Sequence, residues 1–411
     1  MTNHKERILI TGIGALSNLG IGIKDSVEHI RQNKPSFTEK SEWTVEGLDK
    51  EYIGECAGFE FEKVFENPGT VFRYSQLSIM ACKLALDDAG LAPHTGDSSR
   101  TGLIINSDLG ASTAAENYAM KLYAKGPERV SPFDFTKSVA NCVIGDTARQ
   151  FKITGASSFI IGENSISYGF NLLQDGKADI IICGGVDELR DRTLWNYSRR
   201  GLTVPVNGSD PATNSPSSLP GENNRMLFGE GAAFVVLETE SHAKQRGAKI
   251  YAEMLGEFSG CDSLCNEIIW ERSPEDLSYN MRKAMEVSGI GPEQVSFIMG
   301  ASALPWQVNA YEVPAIEEVW KNEPVKYSSI KCRTGETFSS SPVLSFALAA
   351  AYLSEGAIPG TGWPASLWQH NPQHIQMIAA DESIGNEPAC CLVNSIQLGG
   401  NTTSAIIKTY Q

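Results

Sequence analysis

The sequence predicts an α/β protein built from two similar halves, and three observations carry that prediction. Short runs that are apolar throughout, such as "RTGLIINS", "ADIIICGG" and "AAFVVLE", alternate with stretches whose apolar residues recur every three or four positions. Strands that are apolar on both faces belong to sheets covered by helices on both sides. The same succession then returns after "ETESHAKQRGAKIYAE", in "VSFIMGAS", "ACCLVNSI" and "SAIIKTY" with helical stretches among them. The join divides the chain into an N-terminal half, 1–245, and a C-terminal half, 246–411.

Taken in order, the first strand is expected at Arg7 to Thr11, followed by a turn in "GIGALSNLG". Gly12 and Gly14 could open a dinucleotide loop, but Ser17 stands where the third glycine of G-x-G-x-x-G belongs, so a tight turn is the expectation. "RYSQLSIMACKLALDDAGL", Arg73 to Leu91, has helical periodicity and a closing Gly90. "SVANCVIGDTARQF" and "SISYGFNLLQDG" are expected helices on either side of a strand, "SSFII". In the second half, "LSYNMRKAMEVSGI", "AYEVPAIEEVW" and "SPVLSFALAAAYLSEG" are the expected helices. "SSIKCRTGETFSSSP" reads as a strand end at Tyr327 to Ile330, a Lys-x-x-Thr-Gly turn, and small residues entering the last of these helices. The Ser/Pro/Asn-rich "PVNGSDPATNSPSSLPGENN" is expected as a surface loop.

Composition narrows the function. The 411 residues can bury a large core and make two domain-sized units. Hydrophobic residues at 41% and charged residues at 20% describe an ordinary soluble globular chain. A formal net charge of −15 argues against nucleic acid or an anionic membrane as the main partner. The nine cysteines are odd in number, scattered, and several lie inside apolar runs, as buried free thiols do in a reducing compartment. There is no C-x-x-C pair, and Cys261 and Cys265 have no histidine or second cysteine pair nearby, so no zinc site is expected. "MTNHKERILITG" enters a strand without a signal peptide's apolar stretch, and no segment reaches the roughly 20 apolar residues of a membrane helix, so a cytoplasmic protein is expected.

Four segments are more specific: "VSPFDFTKSVANCVIGDTARQFKITG", "GKADIIICGGVDE", "FGEGAAFVVLE" and "HAKQRGAKIYAE". Together, and in this order, they resemble the β-ketoacyl-acyl-carrier-protein synthases of the thiolase superfamily, and the likeness runs from about Arg7 to Tyr410. The resemblance implies a duplicated five-layer α-β-α-β-α fold and a dimer, and implies no cofactor and no metal. It also implies a cysteine nucleophile at a helix start, where the helix dipole favours thiolate. Two histidines, one in Asn-Ala-His-Gly-Thr and one in Lys-x-x-x-Gly-His, would stabilise the enolate formed on malonyl decarboxylation.

None of these three groups is present. Counting forward from "SPF" places the nucleophile's position at Asn164, whereas counting back from "GKAD" places it at Phe159; Asn164 is preferred because "SSFII" is needed as the strand leading in. No cysteine occurs between Cys142 and Cys183 in either register. The histidine positions fall on Ala301 and Glu336, and no histidine lies between His242 and His370. Ser165 and Ser167 are near the right place but have no motif histidine to serve as base. Lys331 and Glu312 match a retained Lys and acid that the resemblance brings together, and a Lys331–Glu336 contact is the competing arrangement.

The pattern resembles the chain-length factors of type II polyketide systems and their counterparts in aryl polyene pathways. It implies a heterodimer with an active ketosynthase, with acyl carrier protein docking mainly on that partner. By the same resemblance, Thr113, Ala114 and Ala115 would leave room in an acyl tunnel, and Asn117 and Tyr118 would form its floor. Phe133 and Phe135 would reach across the interface, and Leu398 in "IQLGG" takes the place of a gating phenylalanine. Two alternatives stay open: a homologue with residual malonyl decarboxylase activity, and a homodimeric acyl-binding scaffold.

Overall fold

The computed structural model describes residues 6–411 apart from 49, 57, 66–70, 92–97, 163, 205, 207–224, 263–272, 304–306, 322, 364–373 and 386–387. The expected surface loop at 205–224 therefore lies almost wholly outside the described residues.

The principal strands are β1 (Ile8–Ser17), β2 (Thr101–Asn106), β3 (Ser157–Ile160), β4 (Ile180–Asp187), β5 (Gly231–Thr239), β6 (Ala252–Cys261), β7 (Phe297–Met299), β8 (Val325–Ser328), β9 (Ile375–Met377), β10 (Cys390–Ile396) and β11 (Asn401–Lys408). Their spatial order is β9-β8-β7-β10-β11-β6-β1-β5-β4-β2-β3. The duplication is visible in that order. Outward from β1 the neighbours are β5, β4, β2 and β3; outward from β6 they are β11, β10, β7 and β8, with β9 added at the edge. Orientations repeat as well. β5 and β11 are antiparallel to both neighbours, whereas β4-β2-β3 and β10-β7-β8 are parallel. The two sets meet through a short antiparallel pairing, Ile8↔Met254 to Ile10↔Ala252.

The principal helices are α1 (Arg73–Asp88), α2 (Ser112–Lys125), α3 (Pro132–Ser138), α4 (Cys142–Phe151), α5 (Ser165–Gln174), α6 (Asp191–Arg199), α7 (Pro274–Ser288), α8 (Val313–Val319) and α9 (Ser340–Ser354). α1 packs on β1, β4 and β5 and α4 on β2, while α7 packs on β6 and β11. α5 and α9 lie between the sheets, and α9 touches β4 and β5 of one and β10 and β7 of the other. This is the alternating helix–sheet layering that the sequence implies. Every residue of α9 from Ser340 to Leu353 is buried, as a helix apolar all round must be.

The structure corrects the first turn. β1 does not stop at Thr11 but continues to Ser17, with Ile13 opposite Val235 and Gly14 opposite Phe234. Its glycines serve a close approach of α1: a Cβ on Gly14 would lie 2.0 Å from the Ala81 carbonyl oxygen, and one on Gly12 would lie 2.5 Å from that of Ala85. The strand expected to run to Ile330 ends at Ser328. After it, Lys331–Thr334 forms a single helical turn closed by Gly335 at φ +72. "AYEVPAIEEVW" is not one regular helix either: a π-helical turn, Val308–Glu312, precedes α8.

Two glycine substitutions test this packing in opposite directions. Gly14→Ala should lower stability by about 1–3 kcal/mol through overpacking against α1. Gly145→Ala, mid-α4 with nothing within 4 Å of the added Cβ, should raise it by about 0.5–1 kcal/mol. Urea midpoints at unchanged m-value measure both.

Candidate functional site

The position expected to hold a nucleophile is built by strand, turn and helix start. β3 ends at Ile160, the chain turns with Gly162 at φ +69, and Asn164 caps α5. Asn164 Oδ1 accepts a hydrogen bond from the Ile166 N–H (2.9 Å), and its Nδ2 donates to Ser395 Oγ (3.3 Å). Phe159 lies inside β3, so Asn164 is the residue at the helix start. A carboxamide is not a nucleophile, and here both its ends are committed. Among the described residues, the Ser165 hydroxyl is buried without a hydrogen-bond partner and Ser167 Oγ meets Ser259 Oγ at 3.5 Å, so no described group stands by either as a base.

Ser395, the partner of Asn164, lines a crevice with Ala301, Lys331, Ser341 and Asn394, too narrow to admit a water molecule. Ala301 has no side-chain donor; its backbone N–H donates to Glu312 Oε1 (3.0 Å). Lys331 Nζ donates to Glu336 Oε2 (2.6 Å), and both residues are 3% exposed. The other oxygen, Glu336 Oε1, accepts from the Phe338 N–H (2.8 Å) and Ser341 Oγ (3.1 Å). Phe338 stands at φ +54, a conformation uncommon for a phenylalanine, with its N–H on this carboxylate. Ala301 and Lys331 thus line one narrow crevice, with Asn164 joined to it through Ser395 and Glu336 through Lys331.

Glu312 is placed differently from the first expectation. It does not meet Lys331. Its carboxylate accepts from the Ala301 and Ser302 N–H groups (3.0 Å each) and from the Tyr327 hydroxyl (2.6 Å). An acid with three donors has no need of an ammonium, and the ammonium takes the closer Glu336.

A carboxylate pair beside this loop was not singled out in the sequence. Asp187, at the end of β4, accepts from Ser107 Oγ (2.6 Å) and from the N–H groups of Asp108 (3.1 Å), Leu109 (2.8 Å) and Ser339 (2.9 Å). It ties the loop after β2 to the loop before α9. Burial pushes its pKa up to about 6 in spite of these donors. Neither oxygen of Asp108 has a hydrogen-bond partner, and burial, followed by the Asp187 and Glu336 charges, pushes its pKa well above the ordinary value. Charged residues closing an apolar strand, as in "IIICGGVDE", were the available signal.

The tunnel candidates gather on and beside α2. The Thr113 N–H and hydroxyl both donate to Glu188 (2.5 and 2.7 Å). Ala114 is buried in the core that α1 and β4 share, Ala115 is partly exposed and Asn117 exposed. Tyr118 meets Phe135 with ring centroids 5.7 Å apart, and Phe133 and Phe135 are half-exposed. Leu398 packs beside Phe228 and Phe338, and its carbonyl oxygen faces Gly162, in the turn before Asn164.

Two family models cover most of the chain: the β-ketoacyl synthase N-terminal domain matches residues 5–243 and the C-terminal domain residues 251–362. The chain belongs to the β-ketoacyl synthase family. Among curated relatives, 3-oxoacyl-[acyl-carrier-protein] synthase 2 of Synechocystis sp. is 24% identical over 421 residues, covering 99% of each chain. Its counterpart in Staphylococcus aureus is 25% identical and covers 100% of each. Among solved structures, the ishigamide ketosynthase/chain length factor superposes with a TM-score of 0.83 at 21% identity, over 99% of this chain and 100% of that one. A type II PKS acyl-carrier protein in complex with its ketosynthase gives 0.83 at 18% identity, with the same coverage. At these identities the structures establish the fold, an α/β architecture of alternating helix and sheet layers. In this β-ketoacyl synthase family member, no group of three His, Cys, Asp or Glu residues could hold a metal ion among the described residues, and no described helix is long and apolar enough to cross a membrane.

Two predictions follow from the charges in the crevice wall. Glu336→Gln leaves Lys331 buried without a counter-charge and should cost about 3–5 kcal/mol, whereas the double change Lys331→Met with Glu336→Leu should recover most of that loss. Chemical denaturation of the three variants measures it. Asp108 has its pKa raised on folding, so the native state loses stability as pH climbs from the unfolded value of about 4 through the folded one. Asp108→Asn should therefore stabilise by about 1–3 kcal/mol at pH 8 and by little at pH 4, read as the difference in unfolding free energy at the two pH values.

Proposed function

We propose that this chain is a non-catalytic, chain-length-factor-like subunit that pairs with an active β-ketoacyl synthase and shapes the channel for its growing acyl or polyene chain. The observation that carries this reading is the joint state of three positions. Asn164 has no nucleophile, Ala301 no donor side chain, and Glu336 a carboxylate occupied by Lys331, Phe338 and Ser341. Condensation needs a thiolate and a preorganised donor pair at the developing oxyanion, and no side chain here offers either. The scaffold is nevertheless complete, which is what a binding or shaping role requires.

A surface suited to a partner supports the reading. β3 is the outer strand of its sheet. Beside it, Ile161 is 68% exposed and Tyr123 of α2 is 93% exposed, with Met120, Phe133, Phe135 and Val139 also outside. An open strand edge among exposed apolar side chains is a liability in a monomer and an interface in a complex. In the proposed heterodimer these side chains face the ketosynthase. Acyl carrier protein then docks mainly on that partner, consistent with the −15 charge of this chain. Ala115, Asn117, Tyr118, Phe133 and Phe135 border the channel, and Leu398 stands in for a gate that has no nucleophile to guard. The family context favours polyketide, aryl-polyene-type or fatty-acid-like biosynthesis.

Co-expression with candidate ketosynthases, followed by native mass measurement, should give a one-to-one complex. The isolated chain should release no carbon dioxide from malonyl-carrier protein and form no condensation product. In the active complex, Ala115→Phe should shorten the product by one or more extension units; Ala114 is the poorer probe because it packs into the core. Carbon dioxide release by the chain alone, a stable homodimer that ignores every ketosynthase, or products of unchanged length would each overturn the reading.

A further inference from the structure

Two residues on from Lys331, in the same single helical turn, Arg333 lines a different cavity. It measures about 300 Å³ and is bounded by Arg31, Asn33, Gly360, Gly362, Trp363 and Asp381. Arg333 is 3% exposed, and among the described residues its Nε and Nη1 have no hydrogen-bond partner. A guanidinium stays charged at any ordinary pH, so the wall of this cavity holds a full positive charge with donors unmet. Such a group is normally paired, and burying it unpaired is among the costlier things a fold can do.

The surroundings make room for that charge without neutralising it. Gly362 stands at φ +75, and a Cβ there would lie 2.1 Å from Arg333 Nη2, so only glycine leaves the guanidinium its place. Asp381 is the nearby carboxylate, but it already accepts from the Tyr352 hydroxyl (2.9 Å) and the Gly360 N–H (2.8 Å), and it faces Arg31 Nε at 3.8 Å. Burial lowers the pKa of Arg333, and the Asp381 charge opposes that only in part. Arg31, at the rim, is ion-paired with Glu355 and faces Asp381, so its charge is already balanced, while Trp363 gives the floor an apolar wall. Buried unmet donors on a charged guanidinium, facing open volume, make a receptor for negative charge.

We propose that this cavity binds a small oxyanion, a carboxylate or phosphate group, held by Arg333. The proposal is independent of the pairing role. Calorimetric titration of the full-length chain, in low-chloride Tris buffer, uses inorganic phosphate in one arm and malonate in the other. Saturable one-site binding of either, with an unfolding temperature that rises with its concentration, is expected, and the arm that binds identifies the group. Arg333→Met should weaken binding about tenfold or more. Ala380→Asp, exposed at the rim and outside the core, should weaken it as well and serves as the probe if the first variant folds poorly. No saturable binding in either arm, or equal binding by Arg333→Met, would overturn the proposal. So would an Arg333→Met chain that is more stable than the parent while the parent shows no dependence on either anion.

Discussion

The ion pair between Lys331 and Glu336 is the constraint on which the rest of the site depends. Two opposite charges, both almost wholly buried, are held 2.6 Å apart. Taking them out of water is costly, and their attraction offsets that only because further donors complete the carboxylate. Those donors are the Phe338 N–H and the Ser341 hydroxyl, which belong to the entrance of α9. The pair therefore decides how the most buried helix of the molecule begins. It also leaves both oxygens of Glu336 occupied, so the contact that stabilises the loop is the one on which the proposed non-catalytic role rests.

How much of this was legible in the sequence follows from the kind of signal each feature leaves. The sheets were legible because β4, β5 and β10 are apolar on both faces, and α1 because its periodicity is regular. The first turn was misread because glycine in a strand, placed there so that α1 can approach, looks the same in a sequence as glycine in a turn. α2, α3 and α6 left little trace, for their faces are mixed and much of α2 is exposed. The exit from β8 was misread by two residues because nothing in "SSIKCRTG" marks where pairing stops.

At the site, the missing thiol and imidazoles were legible because absence of a residue type between two positions needs no structure. Their convergence was not. That Asn164 lies next to the crevice lined by Ala301 depends on Ser395 of β10, which lines the crevice and bonds Asn164 from more than two hundred residues away in the chain. The choice of partner for Lys331 could not be made from spacing. Glu312 was the family-like candidate, yet it is saturated by two backbone N–H groups and the Tyr327 hydroxyl. Glu336, five residues along, was within reach of a side chain leaving the same turn.

In the proposed non-catalytic role, the charges beside the crevice weigh against malonyl chemistry as well. A malonyl group carries a carboxylate that a decarboxylating site must accept before expelling it. Here the loop that would receive it is bordered by Asp108, Asp187 and Glu336, and the one nearby ammonium is already paired. Both aspartates have their pKa pushed up by burial, a sign that the interior already resists the negative charge it holds. A further anion would have to enter against them or bring a proton with it.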